Sequence, residues 1–161
     1  MDYGRWTDLE MALIRNLTNR AILADHAESA EGLLERMTGL LSRSSLREGE
    51  ALIFPRCSSI HTCFMRFPID VLFLKIVHGS GLRAEGEAQS PEPRAPSRLC
   101  GIVVKIAAHV QPFRVAWGRG ADTVVELPAG TMLRTATQAG DLLEMSGDSV
   151  GPTCQKDLTK P

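Results

Sequence analysis

Little in this chain marks a specialised class. Aromatic residues make up only 5% of its 161 residues, which argues against a surface of stacking platforms for single-stranded nucleic acid. Neither sign of charge dominates. Lys and Arg number 18 against 19 Asp and Glu, a net of −1, so the chain as a whole lacks the basic footprint of a nucleic-acid binder. No apolar run approaches the roughly 20 residues of a membrane-spanning helix. Met1 to Glu10 carries Asp2, Arg5, Asp8 and Glu10 with no apolar stretch behind them, unlike a signal peptide. The expected location is therefore cytoplasmic. The four cysteines, Cys57, Cys63, Cys100 and Cys154, form no Cys-x-x-Cys pair. A disulfide framework is not expected in a reducing compartment, and the usual zinc-ribbon and thioredoxin signals are missing. Gly-x-Ser-x-Gly, a phosphate-cradling glycine loop and internal repeats are also absent. What remains is an ordinary globular composition, 43% apolar and 23% charged, at about the length of one domain.

The pattern along the chain is mostly β. Leu13, Ile14 and Leu17 precede Thr18-Asn19-Arg20, and Ile22 and Leu23 follow. Turn chemistry between two apolar runs predicts a hairpin within Met11–Asp25. Ala30, Leu33, Leu34, Met37, Leu40 and Leu41 then recur at helical spacing, the stripe of one main helix. Ser42 to Gly49 reads as a loop. Ala51–Phe54 is a short strand ended by Pro55, Ile60–Phe67 a second, and Ile69–Val77 a third. The third is apolar on both faces and should be central, covered on both sides. Gly79–Gly101, with Pro91, Pro93 and Pro96, reads as an exposed, mobile insert. Ile102–Ile106 and Val124–Leu127 resume the sheet, Thr131–Ala136 fits one helical turn, and Leu142–Met145 is the last strand. A flexible tail is expected over 147–161.

Chemistry-bearing residues concentrate between Pro55 and Asp70. If Ile60–Phe67 is extended, alternation puts His61, Cys63 and Met65 on one face and Ile60, Thr62, Phe64 and Arg66 on the other. Asp70 shares a face with Leu72 and Leu74, where a charge needs a partner. Arg66, across the Pro68 bend, is the expected one. Three readings compete. In the structural reading His61 bonds a backbone carbonyl and the Arg66–Asp70 pair fixes the bend. In the second, the segment floors a pocket for an anionic or polar ligand, with His61 and Arg66 as donors. In the third, Cys57, His61 and Cys63 bind a metal. They are soft ligands of the right types, but no fourth ligand is assigned, so stoichiometric zinc is not expected. Cys57 with His61 is also the pair an enzymatic nucleophile and base would need. His26, His78 and His109 read as surface or structural residues, and Gly118-Arg119-Gly120 as a turn.

These residues resemble the domain-of-unknown-function family number 192. The resemblance rests on Met37-Thr38-Gly39-Leu40-Leu41, on Ile60-His61-Thr62-Cys63-Phe64-Met65-Arg66-Phe67-Pro68-Ile69-Asp70-Val71-Leu72-Phe73-Leu74, on Val125-Glu126-Leu127-Pro128-Ala129-Gly130-Thr131, and on Gly140-Asp141. It places the family's signature on His61, Met65, Arg66, Pro68, Asp70, Glu126, Gly130 and Gly140-Asp141. Two departures are the long Gly79–Gly101 insert, where the family has a short turn, and the missing export signal that many members carry. The resemblance implies a compact, mostly β domain with a helix and no established activity. The closing Leu-Pro-Ala-Gly-Thr and Gly-Asp-Leu-Leu also resemble the glycine–aspartate turn of small cradle-type barrels.

The expected fold is α+β. It is a single compact, mostly β domain over residues 11–146, a small twisted sheet closing toward a barrel with one main helix. The expected function is that of a non-enzymatic binding or accessory domain. Its polar or anionic ligand pocket would be built from His61, Arg66 and Asp70, with Arg114 and Glu126. No cofactor is expected, and the partner would be a small polar ligand or a protein rather than nucleic acid or membrane. The alternatives are a Cys/His-based or metal-assisted enzyme and a purely structural interaction module.

Overall fold

The computed structural model describes residues 12–29, 45–77 and 98–147. Nine strands fall in these segments: β1 (Ala12–Asn16), β2 (Ile22–Ser29), β3 (Glu50–Pro55), β4 (Ser59–His61), β5 (Ile69–Val77), β6 (Arg98–Val110), β7 (Val115–Trp117), β8 (Thr123–Pro128) and β9 (Leu142–Gly147). A short helix, α1 (Thr131–Thr135), sits between β8 and β9. Seven strands close into a barrel in the order β1-β2-β3-β8-β5-β6-β9, and β4 and β7 form a separate two-stranded ribbon. Barrel closure removes exposed sheet edges and gives every strand an inner and an outer face.

The hairpin of β1 and β2 forms where turn chemistry predicts it, with Arg20 at φ 66° in the turn. β2 and β3 pair in parallel. Parallel neighbours need a crossover connection of a dozen or more residues, which is why β2 and β3 are separated by a long stretch of chain. The main helix expected over Ala30–Leu41 lies outside the described residues. β5 is central, hydrogen-bonded to β6 on one side and β8 on the other, as its continuous apolar run requires.

Two apolar layers follow from strand alternation. One fills the barrel, drawing on Ile14, Leu23, Ile53, Leu72, Leu74, Val103, Val125, Leu127, Leu143 and Met145. The other lies outside the wall, where Ile69, Val71 and Phe73 of β5 and Val124 of β8 meet Ile60, Phe67, Ala116 and Leu46. The β4–β7 ribbon is the cover of this second layer. Ile60 and Ala116 point down onto the barrel and are buried, each 8% exposed. Gly118, just past β7, lies against Phe73. A Cβ there would stand 2.5 Å from Phe73 Cβ.

Two expectations are corrected. The strand expected over Ile60–Phe67 stops at His61. Phe64 adopts φ 67°, a left-handed conformation that ends strand geometry, so facing by alternation does not extend to Cys63, Met65 and Arg66. The sheet also resumes earlier than Ile102. β6 starts at Arg98, and Leu99 is buried at 5% exposure, so the last residues of the expected insert belong to the barrel wall. The rest of that insert and the tail from 148 onward lie outside the described residues.

Candidate functional site

The ribbon is held by one residue of the signature segment. Thr62 is fully buried. Its amide donates to the Arg114 carbonyl at 2.8 Å, and its carbonyl accepts from the amides of Phe113 at 2.9 Å and Met65 at 3.3 Å. Its hydroxyl donates to the Gln111 carbonyl at 2.7 Å and accepts from the Arg114 amide at 2.9 Å. Every polar atom of Thr62 is thus spent on joining the 62–65 loop to the 111–114 loop. A buried polar network of this kind, fully satisfied, fixes one conformation.

The clamp holds two aromatic side chains in solvent. Phe64 and Phe113 both have positive φ, 67° and 58°, a conformation that costs a bulky residue about 1 kcal/mol or more. Their rings meet edge to face at 6.2 Å, yet they are 70% and 63% exposed. On the ribbon itself His61 pairs with Val115 and Ser59 with Trp117. Because Ile60 and Ala116 face the barrel, these four face outward, and Val115 and Trp117 are each 63% exposed. Lys105 lies over the Trp117 ring. Its Nζ donates to the Trp117 carbonyl at 2.7 Å and lies 5.4 Å from the ring centroid. An open hollow of about 510 Å³ adjoins the ring, lined by Ser58, Trp117, Gly118, Arg119, Gly120 and Ala121.

Of the five residues the sequence suggested as ligand contacts, the fold brings two together. His61 is exposed on β4, and Arg114 is exposed just before β7, its backbone bonded to Thr62, the residue after His61. Arg66 is exposed in the loop after β4. Asp70 and Glu126 stand elsewhere, on opposite faces of the barrel wall.

Asp70 does not pair with Arg66, which corrects the buried-pair expectation. It is buried, but its carboxylate accepts three backbone N–H groups: His109 at 2.8 Å on Oδ1, and Gly130 at 3.0 Å and Met132 at 2.8 Å on Oδ2. Gly130 caps α1 without a side-chain hydrogen bond of its own. Asp70 therefore acts as a remote cap, satisfying helix N-terminal donors from β5 and placing its charge at the positive end of the first turn. The left-handed His109, at φ 53°, turns its amide toward the same carboxylate. The charge needed a partner, as its apolar neighbours demanded, and backbone donors supply it.

Glu126 lies in the middle of β8, between Leu52 of β3 and Val71 of β5. It is 7% exposed, and burial pushes its carboxyl up to about 7. Desolvation disfavours the charged form when no cation or donor offsets it.

The Cys57 thiol donates to the Ser59 carbonyl at 2.9 Å. No group of three or more potential metal ligands occurs among the described residues. The glycine–aspartate turn forms as its chemistry implies. Gly130 and Gly140 have φ 93° and 95°, and Asp141 accepts from the Gln138 amide at 2.9 Å and from buried Asn16 Nδ2 at 2.7 Å.

Sequence reasoning missed Thr62, Phe64, Phe113 and Trp117. Thr62 offers no charge or unusual chemistry, and isolated aromatics ordinarily signal core. Arg114, 52 positions from Thr62, and its neighbour Phe113 join the signature only through tertiary pairing.

Two solved structures share the fold. A protein from Sinorhizobium meliloti 1021 described as a "putative transcription regulator" aligns at 21% identity with a TM-score of 0.57, covering 85% of this chain and 93% of its own. A protein of unknown function from Novosphingobium aromaticivorans DSM 12444 aligns at 21% identity with a TM-score of 0.54, covering 82% of this chain and 81% of its own. No curated protein matches the sequence significantly. Among the described residues no helix is long and apolar enough to cross a membrane. The model of the DUF192 family, described as "Uncharacterized ACR", matches residues 15–89 and takes in the whole His61–Leu74 signature, bearing out the family that those residues resemble.

Proposed function

We propose that this chain is a non-enzymatic binding domain for an anionic ligand, and that its ligand-facing surface is the β4–β7 ribbon with the two loops joined by Thr62. One observation carries this reading. Arg66, Arg114 and Arg119 are exposed in the loops that flank β4 and β7, whose outward-facing residues include His61 and Trp117, and neither Arg56–Phe67 nor His109–Ala121 contains an Asp or Glu. A rigid surface with donors of one sign and no competing carboxylate in its own segments favours anions. Asp70 and Glu126 fall outside this ligand set, because one carboxylate is engaged by backbone amides and the other is buried in the wall.

Retention on immobilised heparin, a sulfated polyanion, tests the reading. The wild-type chain should be retained at low salt, and a triple variant with Arg66→Ala, Arg114→Ala and Arg119→Ala should elute at clearly lower salt with an unchanged melting temperature. Flow-through of the wild type, or equal elution of the two, would rule the reading out.

A further inference from the structure

We infer that the anionic ligand of this ribbon is a single-stranded nucleic acid, bound by base stacking on Phe113 and Trp117 with its phosphates on Arg114 and Arg119. This rests on the reading of the ribbon as an anion-binding surface and goes beyond it by naming the ligand class.

The whole-chain figures that argue against nucleic acid are averages. The net charge of −1 and the few aromatic residues say nothing of where those residues lie. Three of the chain's eight aromatics, Phe64, Phe113 and Trp117, stand in solvent on this one feature, each at least 63% exposed. Burial is the usual fate of large aromatic rings, and exposure of three together is the departure that asks for a reason. Two of them also sit at positive φ, so the fold holds them outward at the expense of backbone strain.

The order of residues along β7 and its flanks suits a polymer of alternating planar and anionic units. Phe113 is followed by Arg114, then the outward-facing Val115 and Trp117, then Arg119. Aromatic faces accept bases of any sequence, while arginines between them neutralise phosphates. His61 and Ser59, outward on the paired strand, add hydrogen-bonding groups on the same face. The open hollow beside Trp117, bordered by Arg119 and the small residues Gly118, Gly120 and Ala121, gives one nucleotide unit room to approach the ring. The Lys105 ammonium, 5.4 Å from the Trp117 ring centroid, adds a further cation beside that ring.

Two other anionic partners fit less well. A duplex keeps its bases stacked on each other and offers the rings nothing. An anionic membrane favours an apolar wedge ringed by cations, whereas here cations and rings alternate in the chain from Phe113 to Arg119.

The test uses the full chain carrying Trp6→Phe, which leaves Trp117 as its one tryptophan. Probes are a fluorescein-labelled 12-mer of deoxythymidine, a 12-base-pair duplex, and vesicles of phosphatidylcholine with phosphatidylglycerol. The 12-mer should raise anisotropy saturably and quench Trp117 fluorescence. The duplex should bind at least tenfold more weakly. Phe113→Ala should weaken 12-mer binding by about 5- to 150-fold, the range for losing one stacked base. Phe113→Leu, which keeps apolar bulk without a π face, should weaken it comparably while leaving the melting temperature unchanged. With two phosphates neutralised, on Arg114 and Arg119, the log–log salt slope should be about −1.4. Absence of 12-mer binding overturns the inference, as does equal duplex binding, insensitivity to both Phe113 variants, or vesicle binding in place of 12-mer binding. Arginine-dependent heparin retention without 12-mer binding would leave the anion-binding reading intact and remove only the nucleic acid. Loss of heparin retention together with 12-mer binding would remove both.

Discussion

Thr62 and Arg114 hold each other through a reciprocal pair of hydrogen bonds: the Thr62 amide donates to the Arg114 carbonyl at 2.8 Å, and the Arg114 amide donates to the Thr62 hydroxyl at 2.9 Å. The two residues are 52 positions apart in the chain. Their pairing makes the ribbon a fixed platform and sets the adjoining Phe113 in its outward pose.

Thr62→Val should therefore be more destructive than its isosteric shape suggests. It strands the Gln111 carbonyl and the Arg114 amide without their side-chain partner, a loss of about 1–3 kcal/mol. Urea unfolding measures the loss. A change under about 0.5 kcal/mol would mean that the clamp adds nothing to stability.

Asp70 and Arg66 should behave independently. Asp70→Ala leaves the amides of His109, Gly130 and Met132 without their acceptor and should destabilise the chain by about 3 kcal/mol. Arg66→Ala, at an exposed site, should stay within about 0.5 kcal/mol. Comparable losses from both, with coupling in the double variant, would restore the ion pair that the structure replaces with backbone donors.

Stability should fall as the pH rises through the range set by Glu126. Its carboxyl is raised from 4.5 to about 7 in the fold, so the folded state holds a proton that the unfolded state has lost. The fold is favoured below about 4.5, weakens as pH climbs to about 7, and is then level with respect to this group. A shift of that size corresponds to about 3 kcal/mol. Glu126→Gln should flatten the decline and raise the urea midpoint at about pH 8 while changing little near pH 4. No gain at the higher pH would contradict it.

Gly118→Ala should disturb the seating of the ribbon. Its new Cβ would meet Phe73 Cβ at 2.5 Å, and forced overpacking of this kind costs about 1–3 kcal/mol. Gly120→Ala provides the control. Its site is open but has φ 84°, so only backbone strain of about 1 kcal/mol applies. In the Trp6→Phe background, Gly118→Ala alone should shift Trp117 emission. An identical spectrum in both variants would show that the ribbon does not depend on this contact.

The strands were legible wherever local pattern and environment agree. β5 is apolar on both faces in the sequence and is central in the barrel. The hairpin at Thr18–Arg20 and the turns at Gly130 and Gly140 follow from residues whose backbone preferences act within a few positions. Hydrophobic period and turn chemistry are local, and so is the helical turn at Thr131–Thr135.

The site was legible only as a segment. Its chemistry marked 55–70 as unusual, and the need of Asp70 for a partner followed from its apolar neighbours. Which partner it takes, and which residues meet His61, depended on contacts between positions distant in sequence. Backbone amides look alike in every sequence, so the three donors on Asp70 carry no residue signal. The left-handed Phe64 broke the alternation on which the face assignment of His61 and Arg66 relied. Composition fixed the average charge and aromatic content of the chain. Only tertiary pairing of β4 with β7 gathered exposed rings and arginines onto one ribbon, because strand partners are chosen by burial of Ile60 and Ala116 against the barrel.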